Sequence, residues 1–215
     1  MPRRAQTSPR KTASQQRSRA TVDALVEATA RVLVEEGYER ASTNRIAAVA
    51  GVSIGSLYQY FPSKEALVAA AAERHSQELT QVALGAVIKV AALPVEIGAR
   101  ELVAAAIDAH RVDPKLHRVL AEQVPRVGRL EDIDAVERRG GAFLRSYLDA
   151  HRDEIEVADL DLAAFVLTTT VEALTHAAVL RRPDLLGDDD KAGAFVDEVA
   201  GLVLRYLQAP AARGR

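Results

Sequence analysis

The chain has 215 residues, of which 48% are hydrophobic and 27% charged, with a formal net charge of −2 and no cysteine. The absence of cysteine excludes a disulfide framework, a thiolate zinc site and a cysteine nucleophile. Only 4% of the residues are aromatic, so we expect an aliphatic, alanine-rich core built from helices. No apolar run approaches the ~20 residues of a membrane span and no signal peptide is recognisable, so we expect a cytoplasmic protein without a membrane partner.

Charge is distributed unevenly along the chain. Residues 1–65 hold ten Lys and Arg against six Asp and Glu, a balance of +4, and residues 1–20 contain no acid. A basic end beside an acidic body indicates that one end meets a polyanion. We expect a disordered basic tail over residues 1–17, which would add attraction to phosphates, and a second disordered tail over residues 209–215.

The most informative stretch is residues 42–67, S-T-N-R-I-A-A-V-A-G-V-S-I-G-S-L-Y-Q-Y-F-P-S-K-E-A-L. It predicts two short helices joined by a tight turn. Ser42 and Ser53 can cap the two helices, Gly51 suits the left-handed residue that ends the first helix, and Pro62 ends the second. This pattern is typical of a helix-turn-helix, whose second helix enters the major groove of DNA.

These residues resemble the DNA-binding signature of the tetracycline-repressor (TetR) family of bacterial transcription regulators, T-x-x-I-A-x-x-A-G-V-S-x-G-x-L-Y-x-Y-F-x-S-K-E-x-L. The match extends back to residue 28. The resemblance implies an all-α fold with an N-terminal three-helix DNA-binding domain, 18–63, and a C-terminal helical ligand-binding and dimerisation domain, 64–208. It implies a regulator without a cofactor, a repressor that binds a palindromic operator in double-stranded DNA as a homodimer and is released by an unknown small-molecule effector.

Apolar residues recur with helical spacing through the rest of the chain, so about nine helices are expected in all. The helices outside the helix-turn-helix are predicted at about 18–36, 64–90, 95–111, 114–123, 132–151, 160–180 and 191–208.

Several side chains of the helix-turn-helix are candidates for DNA contact. Those that point away from Leu57 and Phe61 are free to meet the duplex; Gln59 can pair with adenine and Ile54 can pack on a thymine methyl group. Together with positions implied by the resemblance, the candidates are Thr43, Asn44, Arg45, Ser53, Ile54, Gly55, Ser56, Tyr58, Gln59, Tyr60 and Lys64. Two alternatives stay open: Arg45 contacts a phosphate or pairs with a local acid, and Tyr60 contacts DNA or belongs to the core.

The two C-terminal helices are candidates for a dimer interface. Within residues 160–180 the only charged side chains are Asp161 and Glu172, and a helix that is apolar nearly all round is buried on two sides. Such a pair of helices resembles half of a four-helix dimer interface, although both could simply be core of a monomeric bundle. The expected interface residues are Leu160, Leu167, Val171, Leu174, Ala178, Phe195, Val199, Leu202, Val203 and Tyr206.

Candidate effector contacts are fewer. Thr168, Glu172 and His176 recur every four residues on the otherwise apolar helix, so they share a face; they form either a pocket wall or a hydrogen-bonded seam inside the dimer interface. The other candidates are His110, His117 and Arg126. Because Pro114 separates His110 from His117, those two need not share a face.

Other function classes are less well supported. Residues 51–55 match the G-x-S-x-G pattern of a serine-hydrolase elbow, which requires a strand before Ser53, and helical spacing is predicted there. We therefore expect no catalytic residue. The five histidines are scattered in the sequence and no metal-binding motif occurs, so no metal is expected. A DNA-binding architectural protein without a ligand remains an alternative.

Overall fold

The computed structural model describes residues 11–124 and 130–209, and the described part is helical throughout, with no strand. The helices follow the chain as α1 (Lys11–Glu36), α2 (Thr43–Ala50), α3 (Ile54–Tyr60), α4 (Lys64–Val90), α5 (Val95–Arg111), α6 (Pro114–Glu122), α7 (Leu130–Ala150), α8 (Leu160–Arg181) and α9 (Asp189–Gln208). Two short 3₁₀ turns, Arg152–Glu154 and Pro183–Leu185, precede α8 and α9. The all-α prediction with its helix-turn-helix is therefore confirmed.

The N-terminal boundary differs from the prediction. Helix α1 begins at Lys11 and not at Ser18, so the expectation that residues 11–17 belong to a disordered tail is wrong. Lys, Ala, Gln and Arg are good helix formers, and adding a residue to an existing helix gains a hydrogen bond at little entropic cost. The prediction from charge density alone therefore placed the start of the helix too late in the chain. The rest of both predicted tails, before Lys11 and after Ala209, lies outside the described residues.

The chain separates into two compact units, divided between Glu73 and Arg74 inside α4. The sequence-based boundary falls earlier, between residues 63 and 64. In the first unit, α1, α2 and α3 enclose a core of fully buried aliphatic side chains, completed by the first turns of α4. These side chains are Leu25, Val32, Leu33, Ile46, Leu57, Leu67 and Val68.

Local hydrogen bonds define both short helices of the first unit. The Ser42 hydroxyl accepts from the Arg45 amide at 3.3 Å and the Ser53 hydroxyl from the Ser56 amide at 3.1 Å, which caps α2 and α3. Gly51 has φ 68°, and the Val52 amide returns to the Ala47 carbonyl at 3.0 Å, so α2 ends in a Schellman turn. Only glycine adopts this backbone conformation without strain.

The second unit is a bundle of α5 to α9 with the rest of α4. Its core joins α5 to α8 and α9, and α7 packs along α8. Arg118 of α6 donates to the carbonyls of Val179 and Leu180 at 2.8 and 3.1 Å, so it satisfies acceptors near the C-terminus of α8 that the helix itself leaves unbonded. The Glu156 amide donates to the Leu207 carbonyl at 2.8 Å, which ties the segment before α8 to the end of α9.

Helix α8 is long and apolar enough to cross a membrane by length and composition alone. A core helix of a globular domain passes the same test, and α8 buries Ala163, Ala164 and Val179 within the bundle. Its apolar character is thus explained in part by packing inside the unit.

The residues predicted for a dimer interface differ in burial. Five of them lie in the core of the second unit: Leu160, Leu167, Ala178, Val199 and Val203. The helical period places them on the inner side of their helices, where they close the bundle. Val171, Leu174, Phe195 and Tyr206 are half-buried against that core, and Leu202 is exposed.

Candidate nucleic-acid interface and histidine cluster

One side of α3 is exposed. Leu57 is fully buried and anchors the helix, whereas Ile54, Gly55 and Gln59 lie at the surface. Tyr60 is also exposed, with 36% of its area accessible. A methyl group built on Gly55 would contact nothing within 4 Å, so the backbone there is open to close approach by a ligand.

Tyr58 and Thr43 join the exposed side of α3 to the start of α2. Tyr58 is 53% exposed, and its hydroxyl lies 3.1 Å from the hydroxyl of Thr43. Asn44 beside Thr43 is exposed as well. The geometry therefore gathers hydroxyl and amide groups from two helices on one surface of the first unit, a set suited to phosphate oxygens and base edges.

Two basic candidates are engaged within the unit. The Arg45 guanidinium pairs with Glu36 at 2.6 Å, and this carboxylate raises the arginine pKa by hydrogen bonding and charge. Of the two alternatives for Arg45, the structure therefore shows the pairing with a local acid. The Lys64 ammonium donates to the Tyr38 carbonyl at 3.0 Å and lies 4.1 Å above the centre of the Tyr38 ring. Lys64 therefore fixes the start of α4 to the turn after α1.

Ser53 and Ser56 pair with each other, since their hydroxyl oxygens lie 2.9 Å apart. Ser53 caps a helix and follows another helix, α2. A nucleophile elbow needs a strand before its serine, so the serine-hydrolase alternative is wrong for this structural context.

Comparison with family models decides the class of protein. A model described as tetracyclin repressor-like, C-terminal domain, matches residues 94–207, and a model described as bacterial regulatory proteins, tetR family, matches residues 25–71. The chain belongs to the TetR family of DNA-binding transcriptional regulators. The second match includes all of α2 and α3, so the exposed surface described above lies in the family's regulatory-protein module. The family and the fold are those of transcription regulators and not of enzymes.

Solved structures agree with this fold. The fatty acid degradation regulator FadR from Bacillus halodurans is 23% identical, with a TM-score of 0.62 over 91% of this TetR-family chain and 97% of that one. The TetR-family regulator PfmR from Thermus thermophilus is 21% identical, with a TM-score of 0.63 over 88% and 96%.

The curated relatives match a short part of the chain. The nucleoid occlusion factor SlmA of Haemophilus ducreyi is 50% identical over 46 residues, which are 21% of this chain and 23% of that protein. The match therefore spans less than a quarter of the relative's length.

In the second unit, four of the five histidines of this regulator come together from four helices. His117 of α6 is central: its Nδ1 lies 3.2 Å from His75 Nε2 of α4, and its Nε2 lies 2.9 Å from His176 Nδ1 of α8. The ring of His110, at the end of α5, lies edge-on with its centre 4.9 Å from that of His117. We call His75, His110, His117 and His176 the histidine cluster.

The cluster unites three predicted effector residues, His110, His117 and His176, despite the proline between the first two. The other candidates are not part of it. Thr168 donates to the carbonyl of Ala164 at 2.8 Å on its own helix, Glu172 is exposed, and Arg126 lies outside the described residues.

Sequence reasoning missed His75. It occupies the inward stripe of α4 together with Leu67 and Ala71, and an ionisable residue on a stripe that must be buried was the available signal. The fifth histidine, His151, lies elsewhere on the bundle, where its Nδ1 donates to the Tyr147 carbonyl at 2.9 Å.

Burial keeps three imidazoles of the cluster uncharged. Desolvation lowers the pKa of His117 to about 3, assisted by the neighbouring imidazoles of His110, His75 and His176. Burial also lowers the pKa of His75, although the Asp113 and Glu78 carboxylates oppose this, and the pKa of His110. At neutral pH these three imidazoles therefore offer nitrogen lone pairs, which makes the cluster a set of metal-ligating groups.

An open groove of about 530 Å³ lies beside α4 in the same unit. Its lining includes none of the predicted effector residues; it consists of Arg74, Gln77, Glu78, Gln81, Val82 and Val112.

Proposed function

We propose that this TetR-family regulator is a repressor that binds a palindromic operator as a homodimer, in the cytoplasm, and leaves the DNA when an effector binds the second unit. The observation that carries the DNA-reading part is the exposed side of α3 with Thr43, Asn44 and Tyr58 around it. Recognition helices read base edges with such exposed side chains, while the flanking hydroxyls hold the phosphates.

The side chains that contact bases and phosphates are assigned from their exposure and their chemistry. Gln59 offers an amide that pairs bidentately with adenine, and Ile54, 38% exposed, offers an apolar group for a thymine methyl. Tyr58 and Thr43 take phosphate oxygens. Arg45 and Lys64, held by Glu36 and Tyr38, contribute positive charge at the rim of this surface.

The dimer is supported by apolar side chains that the fold leaves uncovered on α8. Phe165 is 65% exposed and Leu162 is 54% exposed. With Thr169 and Ala173 they follow the helical period along the outer face of α8, opposite the buried residues. A two-fold dimer through this face would present two copies of α3 to two half-sites, as a palindrome requires.

Release by an effector requires that the effector bind the DNA-incompetent form of the dimer more tightly than the competent form. Helix α4 is the candidate lever, because it begins in the first unit and carries His75 and the polar groove side chains in the second.

A second candidate function rests on the similarity of a 46-residue segment to SlmA, a nucleoid occlusion factor. In that case the protein binds many chromosomal sites as an architectural factor, without an effector. The two functions differ in whether an effector releases the protein from DNA.

The test is selection of bound DNA from a random pool with the full chain, followed by affinity measurements on the selected site. A single enriched palindrome occupied by two chains is the expected outcome. Enrichment of a single half-site, or of no sequence, would contradict the proposal. A selected sequence that occurs at many positions of the chromosome, with an affinity that no small molecule or ion changes, would favour the architectural function.

A further inference from the structure

The histidine cluster has more nitrogen ligands than its hydrogen bonds can use. The Nδ1 of His75, a residue 4% exposed, is fully buried and has no hydrogen-bond partner in the described part of the chain. Neutral imidazole has one N–H and one lone pair, so His117 donates to one of its two histidine neighbours and accepts from the other.

The positions of the nitrogens fit a metal ion. His110, His117 and His176 each offer one ring nitrogen, and these three nitrogens lie within 4.8 Å of one another. Zinc bonds imidazole at 2.0–2.1 Å, so two nitrogens at a tetrahedral ion are about 3.3 Å apart. The observed 2.9 Å between His117 Nε2 and His176 Nδ1 needs to widen by a few tenths of an ångström, and any separation near the 4.8 Å limit needs to shorten by about 1.5 Å.

The surroundings orient the ligands as metal sites do. His110 donates its Nδ1–H to the Ala106 carbonyl at 2.8 Å, which places its lone pair on Nε2. Ligating histidines characteristically donate their other N–H to a carbonyl or carboxylate in this way. If His75 carries its proton on Nδ1, His117 donates from Nδ1 to His75 Nε2, and its own Nε2 is then available to a metal ion without loss of a proton from the cluster.

We propose that the histidine cluster is a binding site for a divalent transition-metal ion, with His110, His117 and His176 as ligands and His75 as the residue that orients His117. Three imidazoles without thiolate or carboxylate select ions such as Zn²⁺, Co²⁺, Ni²⁺ or Cu²⁺ over Mg²⁺ or Ca²⁺, which prefer oxygen. The site links α5, α6 and α8, and through His75 it includes α4.

This proposal stands apart from the proposed function, because its test needs no DNA. The full chain, freed of metal with a chelator, is titrated with Co²⁺ and followed by visible absorption, then with Zn²⁺ in competition. We expect one ion per chain with the intense absorption of four-coordinate Co²⁺, displaced by Zn²⁺. Absence of binding, or the weak absorption of six-coordinate Co²⁺, would overturn the site.

Matched variants assign the ligands. His117→Gln and His176→Gln are each expected to weaken Zn²⁺ binding by at least about a hundredfold, and His75→Gln by about 10–100-fold, the usual effect of an orienting partner. His151→Gln is the control, because His151 lies outside the cluster. The Zn²⁺ affinity of this variant should equal that of the unaltered protein. Equal affinity in His117→Gln and the unaltered protein would place the ion elsewhere and overturn the proposal.

A measurement without variants covers the case in which a substitution unfolds the chain. X-ray absorption fine structure of the Zn²⁺-loaded protein counts imidazole ligands from their scattering. Three imidazoles agree with the proposal, whereas any other number contradicts it.

Discussion

The hydroxyls of Thr43 and Tyr58 lie 3.1 Å apart and connect the first residue of α2 to the exposed side of α3. Tyr58→Phe removes only the oxygen. Because the bond is exposed, we expect a loss of unfolding free energy of no more than about 1 kcal/mol. Loss of a phosphate contact should weaken DNA binding roughly tenfold, equally for the selected operator and a scrambled duplex. Fluorescence anisotropy and thermal melting measure the two effects, and a lower melting temperature with unchanged affinity would contradict the phosphate role.

Gln59→Ala tests base reading. The exposed amide is expected to discriminate one base pair by roughly 1–3 kcal/mol, so its removal should relax the preference at one operator position and leave non-specific binding unchanged. Binding to a set of operators with every single base change measures this. Gln81→Ala, at an exposed position of α4 in the second unit, is the control. An unchanged preference profile in Gln59→Ala would show that another residue reads the base.

Gly98→Ala tests the packing of α5 against α7. A methyl group on Gly98 would clash with the hydroxyl of Tyr147, which is buried and donates to the Leu93 carbonyl at 2.8 Å. We expect a loss of roughly 2–4 kcal/mol of unfolding free energy, from overpacking and from the broken hydrogen bond.

The control for Gly98→Ala is Gly193→Ala in α9, where a methyl group meets nothing within 4 Å. This change should stabilise the helix by up to about 1 kcal/mol, because alanine loses less backbone entropy than glycine. Urea denaturation measures both variants. Equal effects at the two glycines would contradict the close contact with Tyr147.

Phe165→Glu tests the dimer face. The ring is exposed on α8, so a carboxylate there should leave the fold intact and place two like charges across a two-fold interface. We expect sedimentation equilibrium to show a dimer for the unaltered protein and a monomer for Phe165→Glu. Ile97→Glu, at an exposed apolar position of α5, is the matched control and should remain dimeric. A monomeric unaltered protein, or dissociation by both variants, would contradict the α8 face.

If the metal ion is also the effector, its affinity and that of the operator are linked. Zn²⁺ should then lower operator affinity by a factor of roughly 5–150, and the operator must lower Zn²⁺ affinity by the same factor. Anisotropy at fixed Zn²⁺ and metal titration at saturating operator give the two factors. Zn²⁺ binding without any change in operator affinity would leave the metal site in place and exclude it as the effector.

Residues close in sequence determined the first unit. The caps at Ser42 and Ser53, the glycine that ends α2 and the inward Leu57 each act within a few residues, so their roles follow from spacing. The bounds of α5 were predicted as the structure has them, since Pro94 and Pro114 delimit the segment that can be helical. The tail was misjudged because helix propagation at residues 11–17 depends on the helix that follows, not on the local charge.

Sequence periodicity also indicated that α8 is apolar on more than one side, but not which side meets the core. The side of α8 that meets the core depends on where α5 and α7 lie. In the structure Leu160 and Leu167 are on the buried side, and Leu162 and Phe165 are on the exposed side. The histidine cluster is the clearest case of this kind. His75, His110, His117 and His176 are far apart in the chain and belong to four helices, so no spacing relates them. Only the packing of those helices, which is driven by apolar burial and not by the histidines, brings four imidazoles together and leaves one buried nitrogen without a partner among the described residues.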